Sequence, residues 1–244
     1  MNICFISQNG HIGKIPRNFP NCRTEFAWQI ALNADHLSFD YICKNKVPTY
    51  DLAIVILPKK LEIIDTNQVL NICKSIGKKV AVMQEGPNWY WQDYTLDKQI
   101  EYFNTLTSAD IIYVHNESDR KYYQGLTAHS DVRVMSILMI EDAIGTLEPV
   151  ERKDVIIGGN FVSWYGGFDS FVFAKELGDT IYAPSMGRKQ PGEENLVTHL
   201  PYVDWKGWMH QLNRFKYGVH LMRTHAAGTF ALNCAIVLIL PGVW

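Results

Sequence analysis

The 244-residue chain carries 23 basic and 25 acidic residues, a formal net charge of −2, and 47% hydrophobic residues. This is an ordinary globular composition, with enough length for one large or two small domains. The near-neutral charge disfavours binding dominated by a nucleic-acid backbone. The five scattered cysteines disfavour a zinc site or a disulfide framework and favour a cytoplasmic protein. No apolar run is long enough for a membrane span.

Apolar and amphipathic segments alternate through the first half of the chain. Strands are predicted over residues 2–7, 39–43, 51–57, 79–84, 110–114 and 132–135. Helices are predicted over residues 23–32, 60–76, 95–106 and 116–125, with Gly77 and Gly125 as the stop residues of two of them. Such alternation predicts an α/β fold with a doubly wound parallel sheet.

A polar stretch over 141–153, predicted to be the linker between two domains, interrupts this alternation, which then begins again. Further strands are predicted over residues 154–157, 180–183, 196–200 and 217–222, with helices over 168–177, after Asp204 and from Thr229. We therefore predict two Rossmann-like domains, residues 1–148 and 149–244. A doubly wound domain has about five or six strands. The second domain offers fewer, so it is predicted to be incomplete.

The last motif combines a strand (217–222), a small-residue turn (223–228) and a helix that begins at Thr229. The unpaired amides and the dipole of a helix N-terminus favour an anion. Arg223 and His225 lie in the turn, so a phosphate or diphosphate is the expected guest. An ordinary strand-to-helix turn of an α/β domain explains the pattern equally well.

The layout of two such halves resembles the GT-B glycosyltransferases. Three stretches are similar to that family in residue detail: the loop and first helix over 9–28, the glycine-rich loop over 158–169, and the turn and helix over 223–234. In the family, the third stretch binds a nucleotide-sugar diphosphate, and a carboxylate on the helix commonly holds the donor ribose. Asn233 occupies that position here, so the stronger charge-assisted bond is replaced by an amide bond.

The resemblance implies a transferase that moves a sugar from a nucleoside-diphosphate sugar to an acceptor hydroxyl without a metal or other cofactor. The implied diphosphate-binding residues are Gly158, Gly159, Arg223, Thr224, His225, Gly228 and Thr229, and Asn233 is the implied ribose-binding residue. On the acceptor side the candidate binding residues are His11, Arg17, Arg23, Trp89 and Trp91. The acceptor itself is left open among a sugar, a glycan and a modified nucleic acid.

Three residues are candidates for orienting or deprotonating the acceptor hydroxyl. Glu85 directly follows a predicted buried strand, and His115 follows the next one, so both are expected at the strand ends where α/β proteins bind ligands. Glu25 lies in the first turn of a predicted helix, where an acid is also favoured by the dipole alone. Each could equally be a helix cap or a salt-bridge partner.

Two other functions compete with sugar transfer. The first is a catalytically inactive nucleotide- or sugar-binding remnant of the same fold, which Asn233 and the incomplete second domain favour. The second is a dinucleotide-dependent oxidoreductase, which is disfavoured because neither half carries G-x-G-x-x-G between its first strand and helix.

Overall fold

The structure, a computed structural model, describes residues 1–58, 65–84, 86, 88–128, 131–159, 161–162, 165–185, 189–222, 229–237 and 240–241. These residues form two compact units. Unit 1 contains Met1–Arg17 and Arg23–Met139, and unit 2 contains Asn18–Cys22 and the described residues from Ile140 onward. The predicted domain ranges 1–148 and 149–244 remain a prediction.

Unit 1 is built on a seven-stranded sheet with helices between its strands. The strands are β1 (Ile3–Ser7), β2 (Gly13–Lys14), β3 (Asp35–Ser38), β4 (Tyr50–Leu57), β5 (Gly77–Gln84), β6 (Ile111–Val114) and β7 (Val132–Val134). The helices are α1 (Glu25–Ala31), α2 (Phe39–Lys44), α3 (Thr66–Ile76), α4 (Leu96–Ser108) and α5 (Glu117–Thr127). The sheet order is β2-β3-β1-β4-β5-β6-β7, and every pairing is parallel except that of β2 with β3.

Both faces of this sheet are buried. Successive side chains of a strand point to opposite faces, so each strand contributes to two apolar clusters. In β4, Ala53 and Val55 belong to one apolar cluster, while Ile54 and Ile56 belong to another. A continuous apolar run is therefore what a central parallel strand between two helix layers requires.

One predicted strand of unit 1 is wrong. Residues 39–43 belong to α2, and the strand is the preceding segment, β3. The hydroxyl of Ser38 accepts a hydrogen bond from the Tyr41 N–H at 3.1 Å and caps the helix, with Phe39 and Ile42 buried one helical turn apart. A short apolar run with i, i+3 spacing is ambiguous, and the cap decides it.

Of the two glycines predicted to stop a helix, Gly77 directly follows the last residue of α3, whereas Gly125 lies inside α5. Gly77 is the first residue of β5, with an extended φ of −110°. A Cβ there would lie 2.9 Å from the Lys79 carbonyl oxygen and 3.0 Å from the Ala53 side chain, so close packing explains the glycine. The helix that contains Gly125 continues to Thr127 and ends at Ala128 in the left-handed conformation.

Unit 2 contains a five-stranded, fully parallel sheet in the order β10-β9-β8-β11-β12. Its strands are β8 (Lys153–Ile157), β9 (Ile181–Pro184), β10 (Thr198–Leu200), β11 (Phe215–Val219) and β12 (Leu240–Pro241). Its helices are α6 (Gly167–Ala174), α7 (Trp205–Leu212) and α8 (Phe230–Ile236). Asp204 caps α7 and Thr229 precedes α8, as predicted.

The segment predicted as a linker is held by side chains of unit 2. His210 Nε2 donates to the Ile144 carbonyl oxygen at 3.1 Å, and Asn213 Nδ2 donates to the Glu148 carbonyl oxygen at 2.8 Å. Arg152 in turn donates to the Asn213 carbonyl and side-chain oxygens. Residues 144–152 therefore follow the surface of unit 2.

Replacing Ile54 by alanine should lower the free energy of unfolding by about 2–5 kcal/mol, because its side chain is fully buried in the centre of β4. Chemical denaturation measures the effect. Ile100→Ala is the matched control, since Ile100 is 53% exposed on α4 and should cost less than about 0.5 kcal/mol. Equal losses for the two variants would contradict the assignment of β4 to the core.

Candidate functional site

The strand order of unit 2 reverses between β8 and β11. From β8 the chain winds outward to β9 and β10, and it then returns to the other side of β8 as β11. Loops that follow the two strands at such a reversal leave in opposite directions, and ligands of open parallel sheets bind outside the carboxyl ends at this place. Gly158 and Gly159 follow β8, and His220 follows β11. These three residues therefore lie at the switch point.

The two glycines at this point are required by close packing. A Cβ on Gly158 would lie 2.4 Å from the Phe230 ring. Gly159 has a φ of +109°, and a Cβ on it would lie 2.9 Å from the Tyr165 ring and 3.5 Å from His220 Nε2. The Gly158 N–H donates to the Val219 carbonyl oxygen at 2.7 Å, so this amide is already engaged inside the sheet. Gly158 acts through its small size, and Gly159 lies against the His220 ring.

A buried serine fixes the glycine-rich loop to the end of β11. Ser170 Oγ donates to the Gly166 carbonyl oxygen at 2.7 Å and accepts from the Leu221 N–H at 2.8 Å. Gly166 has a φ of +62°, and a Cβ there would lie 1.9 Å from the Leu221 carbonyl oxygen. Only glycine lets the loop approach the strand end this closely.

His220 is held between two aromatic rings. Its ring stacks on Tyr165 at 6.3 Å and meets the edge of Phe230 at 5.5 Å between centroids. Its Nε2 is buried and has no hydrogen-bond partner among the described residues. Burial also lowers the pKa of His220 from its ordinary value of 6.5, which favours the neutral ring at neutral pH.

The residue predicted to hold a ribose lies in the interior of unit 2. Asn233 is 2% exposed, and its side-chain oxygen accepts a hydrogen bond from Trp205 Nε1 at 3.2 Å. The Trp205 N–H is in turn bonded to the Asn21 side chain at 2.9 Å. The amide that replaces a carboxylate is thus part of a buried polar chain, and its ribose role stays a prediction.

Several predicted diphosphate-binding residues lie outside the described residues, namely Arg223, Thr224, His225 and Gly228. Thr229 is described, 8% exposed, at the beginning of α8. The described part of the predicted diphosphate site therefore consists of Gly158, Gly159 and Thr229, and His220 lies beside Gly159.

In unit 1 the strand order reverses between β1 and β4. The loop after β1 contains Asn9, which bonds the predicted catalytic residue Glu25. Asn9 Nδ2 donates to the carboxylate of Glu25, which begins α1. Thr24 precedes it with a φ of 50° and a ψ of −123°, a conformation that costs a β-branched residue about 1–3 kcal/mol. Its N–H bonds to the Leu138 carbonyl oxygen at 2.9 Å. The start of α1 is thus fixed from two sides.

The predicted acceptor residues of the same region are spread along the chain. His11 lies in the loop between β1 and β2, and its Nε2 donates to the Lys14 carbonyl oxygen at 3.2 Å. Arg17 and Arg23 are exposed, and Arg23 forms an isolated antiparallel bridge with Met139. Their predicted role in binding an acceptor remains untested.

His115 follows β6 and stacks on Trp28 of α1, with centroids 5.6 Å apart and an interplanar angle of 13°. Trp28 Nε1 donates to the Ser136 carbonyl oxygen at 2.8 Å, and this bond fixes the ring on which His115 stacks. Burial lowers the pKa of His115, and hydrogen bonds with the backbone of Gln84 and Met135 partly oppose this shift. Its Nδ1 has no hydrogen-bond partner within the described ranges.

The aromatic segment after β5 is packed rather than splayed out. Trp91 lies in a short 3-10 helix and stacks on the fully buried Tyr102 at 5.6 Å, whereas Trp89 stacks on Tyr90. The buried Asp119 accepts from Asn88 Nδ2 and Asn116 Nδ2, both at 2.9 Å, and so joins the loops after β5 and β6. Glu85 lies outside the described residues.

Sequence reasoning missed His220, Ser7, His36 and Asp119. His220 had a signal, because it is the first polar residue after an apolar strand that precedes the predicted anion-binding turn. The spacing of the other three in the sequence gave no such signal, since their partners are tens of residues away or in another loop.

Among the described residues, no group of three His, Cys, Asp or Glu side chains could hold a metal ion. None of the helices in the described ranges is long and apolar enough to cross a membrane.

No protein-family model matches the sequence, and no curated protein matches it. Solved structures do. HepE from Anabaena, determined in complex with UDP, is 9% identical with a TM-score of 0.59, over 99% of this chain and 80% of HepE. An alpha-glucosyltransferase determined with UDP-glucose and DNA containing an abasic site is 12% identical with a TM-score of 0.60, over 99% and 79%. A UDP-forming trehalose-phosphate synthase from Burkholderia xenovorans is 10% identical with a TM-score of 0.56, over 81% and 58%.

These similar structures are GT-B glycosyltransferases, and the chain has their fold. The predicted pair of Rossmann-like parallel-sheet domains is therefore confirmed. The predicted incompleteness of the second one stays a prediction. At identities of 9–12% the likeness concerns the fold, and the chemistry must be argued from the site.

Acid should destabilise the protein through its buried histidines. Burial lowers the pKa of His36, His115 and His220 below 6.5, so the unfolded chain binds protons that the folded chain does not. The stability they contribute is complete above pH 6.5 and is lost as the pH falls toward the folded values. Each pKa unit by which folding lowers a histidine corresponds to about 1.4 kcal/mol of folding free energy.

Melting temperatures at pH 7.5 and 5.5 measure the loss of stability, and His220→Phe should reduce this loss. An unchanged pH dependence in this variant would contradict the assignment.

Proposed function

We propose that the chain transfers a sugar from a nucleoside-diphosphate sugar to an acceptor hydroxyl, that unit 2 binds the donor, and that no metal is required. The observation that carries the proposal is His220 at the switch point of unit 2, with its buried Nε2 directed at Gly159. The GT-B fold supports it, and UDP or UDP-glucose is bound in HepE and in the alpha-glucosyltransferase.

His220 is suited to a diphosphate because of its position and its protonation state. A neutral imidazole offers one N–H to a phosphate oxygen, and a nearby phosphate favours the second proton. Gly159 brings the backbone of the glycine-rich loop against this ring. As the bond between the anomeric carbon and the diphosphate breaks, negative charge grows on the leaving oxygen, and donors fixed around it lower the barrier. Arg223, Thr224, His225, Gly228 and Thr229 are the remaining proposed donors.

The acceptor is proposed to bind at the carboxyl edge of unit 1. His115, Glu25 and Glu85 are the candidates for orienting or deprotonating its hydroxyl. His115 has the best-defined geometry of the three, since Trp28 fixes the plane of its ring. The acceptor classes in the proposal are a sugar, a glycan and a modified nucleic acid.

His220→Phe should weaken UDP binding by about tenfold, because it removes a hydrogen-bond donor to a charged group. The phenyl ring keeps the stacking on Tyr165 and the edge contact with Phe230. Titration calorimetry with UDP measures the change. His210→Phe is the matched control in the same unit, since His210 is exposed and bonds the Ile144 backbone. Equal affinity of wild type and His220→Phe would remove His220 from the site.

UDP binding should also take up a proton. Burial lowers the pKa of free His220, and the diphosphate should raise it in the complex. Affinity should therefore increase as the pH falls from 8 to 6, by more in the wild type than in His220→Phe. The titration of UDP itself cancels in this comparison. Parallel pH dependence of the two proteins would show that His220 does not face the phosphates.

An inactive binding module is the second candidate function, because the family carboxylate is replaced by the buried Asn233. Turnover decides between the two. Release of UDP from UDP-glucose in the presence of simple sugars, glycans or abasic-site DNA supports the transferase. Binding of UDP without turnover on any of these supports the inactive module. In an active protein, Glu85→Gln should lower turnover far more than UDP affinity.

A further inference from the structure

His36 of β3 is bonded to both ends of the loop after β1, which we define as the acceptor loop, residues 8–12. The His36 side chain is fully buried. Its Nε2 lies 3.0 Å from the hydroxyl of Ser7, the last residue of β1, and its Nδ1 is bonded to the His11 carbonyl oxygen. Gly13, where β2 begins, pairs with His36 from the other edge of β3. The acceptor loop thus passes from one neighbour of β3 to the other and is tied to His36 on both sides.

When His36 is neutral, chemistry fixes the direction of each hydrogen bond in the series that links His11, His36, Ser7 and Asn9. A carbonyl oxygen can only accept, so His36 Nδ1 carries a hydrogen. The second nitrogen of a neutral imidazole is an acceptor, and Ser7 therefore donates its hydroxyl hydrogen to Nε2. Ser7 Oγ in turn accepts the backbone N–H of Asn9 at 3.1 Å. Each donor meets an acceptor only when His36 is neutral and protonated on Nδ1.

The chain of bonds continues to a predicted catalytic residue. The backbone of Asn9 is held by Ser7, and its side-chain Nδ2 donates to the Glu25 carboxylate. Asn9 is half-buried, whereas Gln8 and Gly10 on either side of it are exposed. The position of the Asn9 amide, and hence its contact with Glu25, therefore depends on the buried His36 through Ser7.

Burial and the charge of His11 disfavour a positive charge on His36. The His11 ring lies 6.1 Å away and the Phe26 ring of α1 5.9 Å away, with Glu25 at the start of that helix. Lys14 of β2 forms an ion pair with Asp35 of β3 at 3.2 Å. Burial is the largest cause that lowers the pKa of His36. The bond to the His11 carbonyl partly raises this pKa, and the charge of His11 lowers it further.

We propose that neutral His36 is the positioning residue of the acceptor loop, and that protonation of His36 releases this loop together with the contact between Asn9 and Glu25. A second proton on Nε2 turns an acceptor into a donor. The Ser7 hydroxyl then loses the group to which it donates, and a charge appears in a fully buried place. The role of the loop in binding an acceptor rests on the proposed function, whereas its positioning by His36 does not.

Nuclear magnetic resonance of the full chain tests the proposal without an acceptor. At pH 7.5 the His36 ring should carry its hydrogen on Nδ1, and the Asn9 amide should be protected from exchange. As the pH falls, protection of the loop amides, corrected for intrinsic exchange, should decrease by about tenfold or more in step with the titration of His36. A ring protonated on Nε2 at pH 7.5, or a loop that stays protected after His36 titrates, overturns the proposal.

Two variants separate positioning from general stability. Ser7→Ala removes the bond to Nε2 and should leave the loop unprotected at every pH. The matched control is Ser38→Ala, because Ser38 pairs with Ser7 in register and caps α2 instead of holding the loop. His36→Gln supplies a donor and an acceptor that do not titrate, so its loop should show no transition near the pKa of His36. The same loop exchange in Ser7→Ala and Ser38→Ala would overturn the proposal.

Calorimetry with UDP and release of UDP from UDP-glucose keep the two proposals apart. Ser7→Ala should bind UDP like the wild type, because the donor is assigned to unit 2, and should release UDP about tenfold more slowly. If the wild type neither binds UDP nor turns UDP-glucose over, the proposed function fails, and the exchange experiment still decides the role of His36. Unchanged turnover in an active Ser7→Ala protein would show that the loop position does not matter for transfer.

Discussion

The reversal of strand order inside each sheet is the constraint on which the rest of the structure depends. Parallel strands end at a common edge, and only where the winding changes direction do two neighbouring loops leave that edge in opposite directions. In unit 2 this places Gly158 and Gly159 beside His220, although more than 60 residues of chain separate them. In unit 1 the loop after β1, with Asn9, leaves the same kind of reversal toward β3 and β2.

The two units use histidine in a similar way. His115 and His220 each follow a strand, each stacks on one aromatic ring, and each has one ring nitrogen without a hydrogen-bond partner in the described part of the chain. Burial lowers the pKa of both, so both are favoured in the neutral form near pH 7. A neutral imidazole can give or take a proton without carrying a permanent charge in a poorly solvated place.

Buried polar groups hold the surrounding loops in place. Asp119 joins two loops through Asn88 and Asn116, and Ser170 fixes Gly166 to the end of β11. A buried polar group without its partner is costly, so each of these networks favours one loop arrangement over others. Asn233 follows the same rule, because its buried side-chain oxygen accepts a hydrogen bond from Trp205 in the interior of unit 2.

The sequence by itself determined the fold class, most strands and helices, and the glycines and histidine at the ends of β6 and β8. Hydrophobic periodicity carries that information locally, since a buried parallel strand needs apolar residues on both faces. It could not decide that residues 39–43 form a helix, because the decisive Ser38 cap is a single contact. Nor could it assign His36, His220 or Asp119. Their roles come from partners such as Ser7, Gly159 and Asn88, which lie 29, 61 and 31 residues away and become neighbours only when the strands assemble into a sheet. Spacing along the chain does not specify such contacts, and only the tertiary structure decides them.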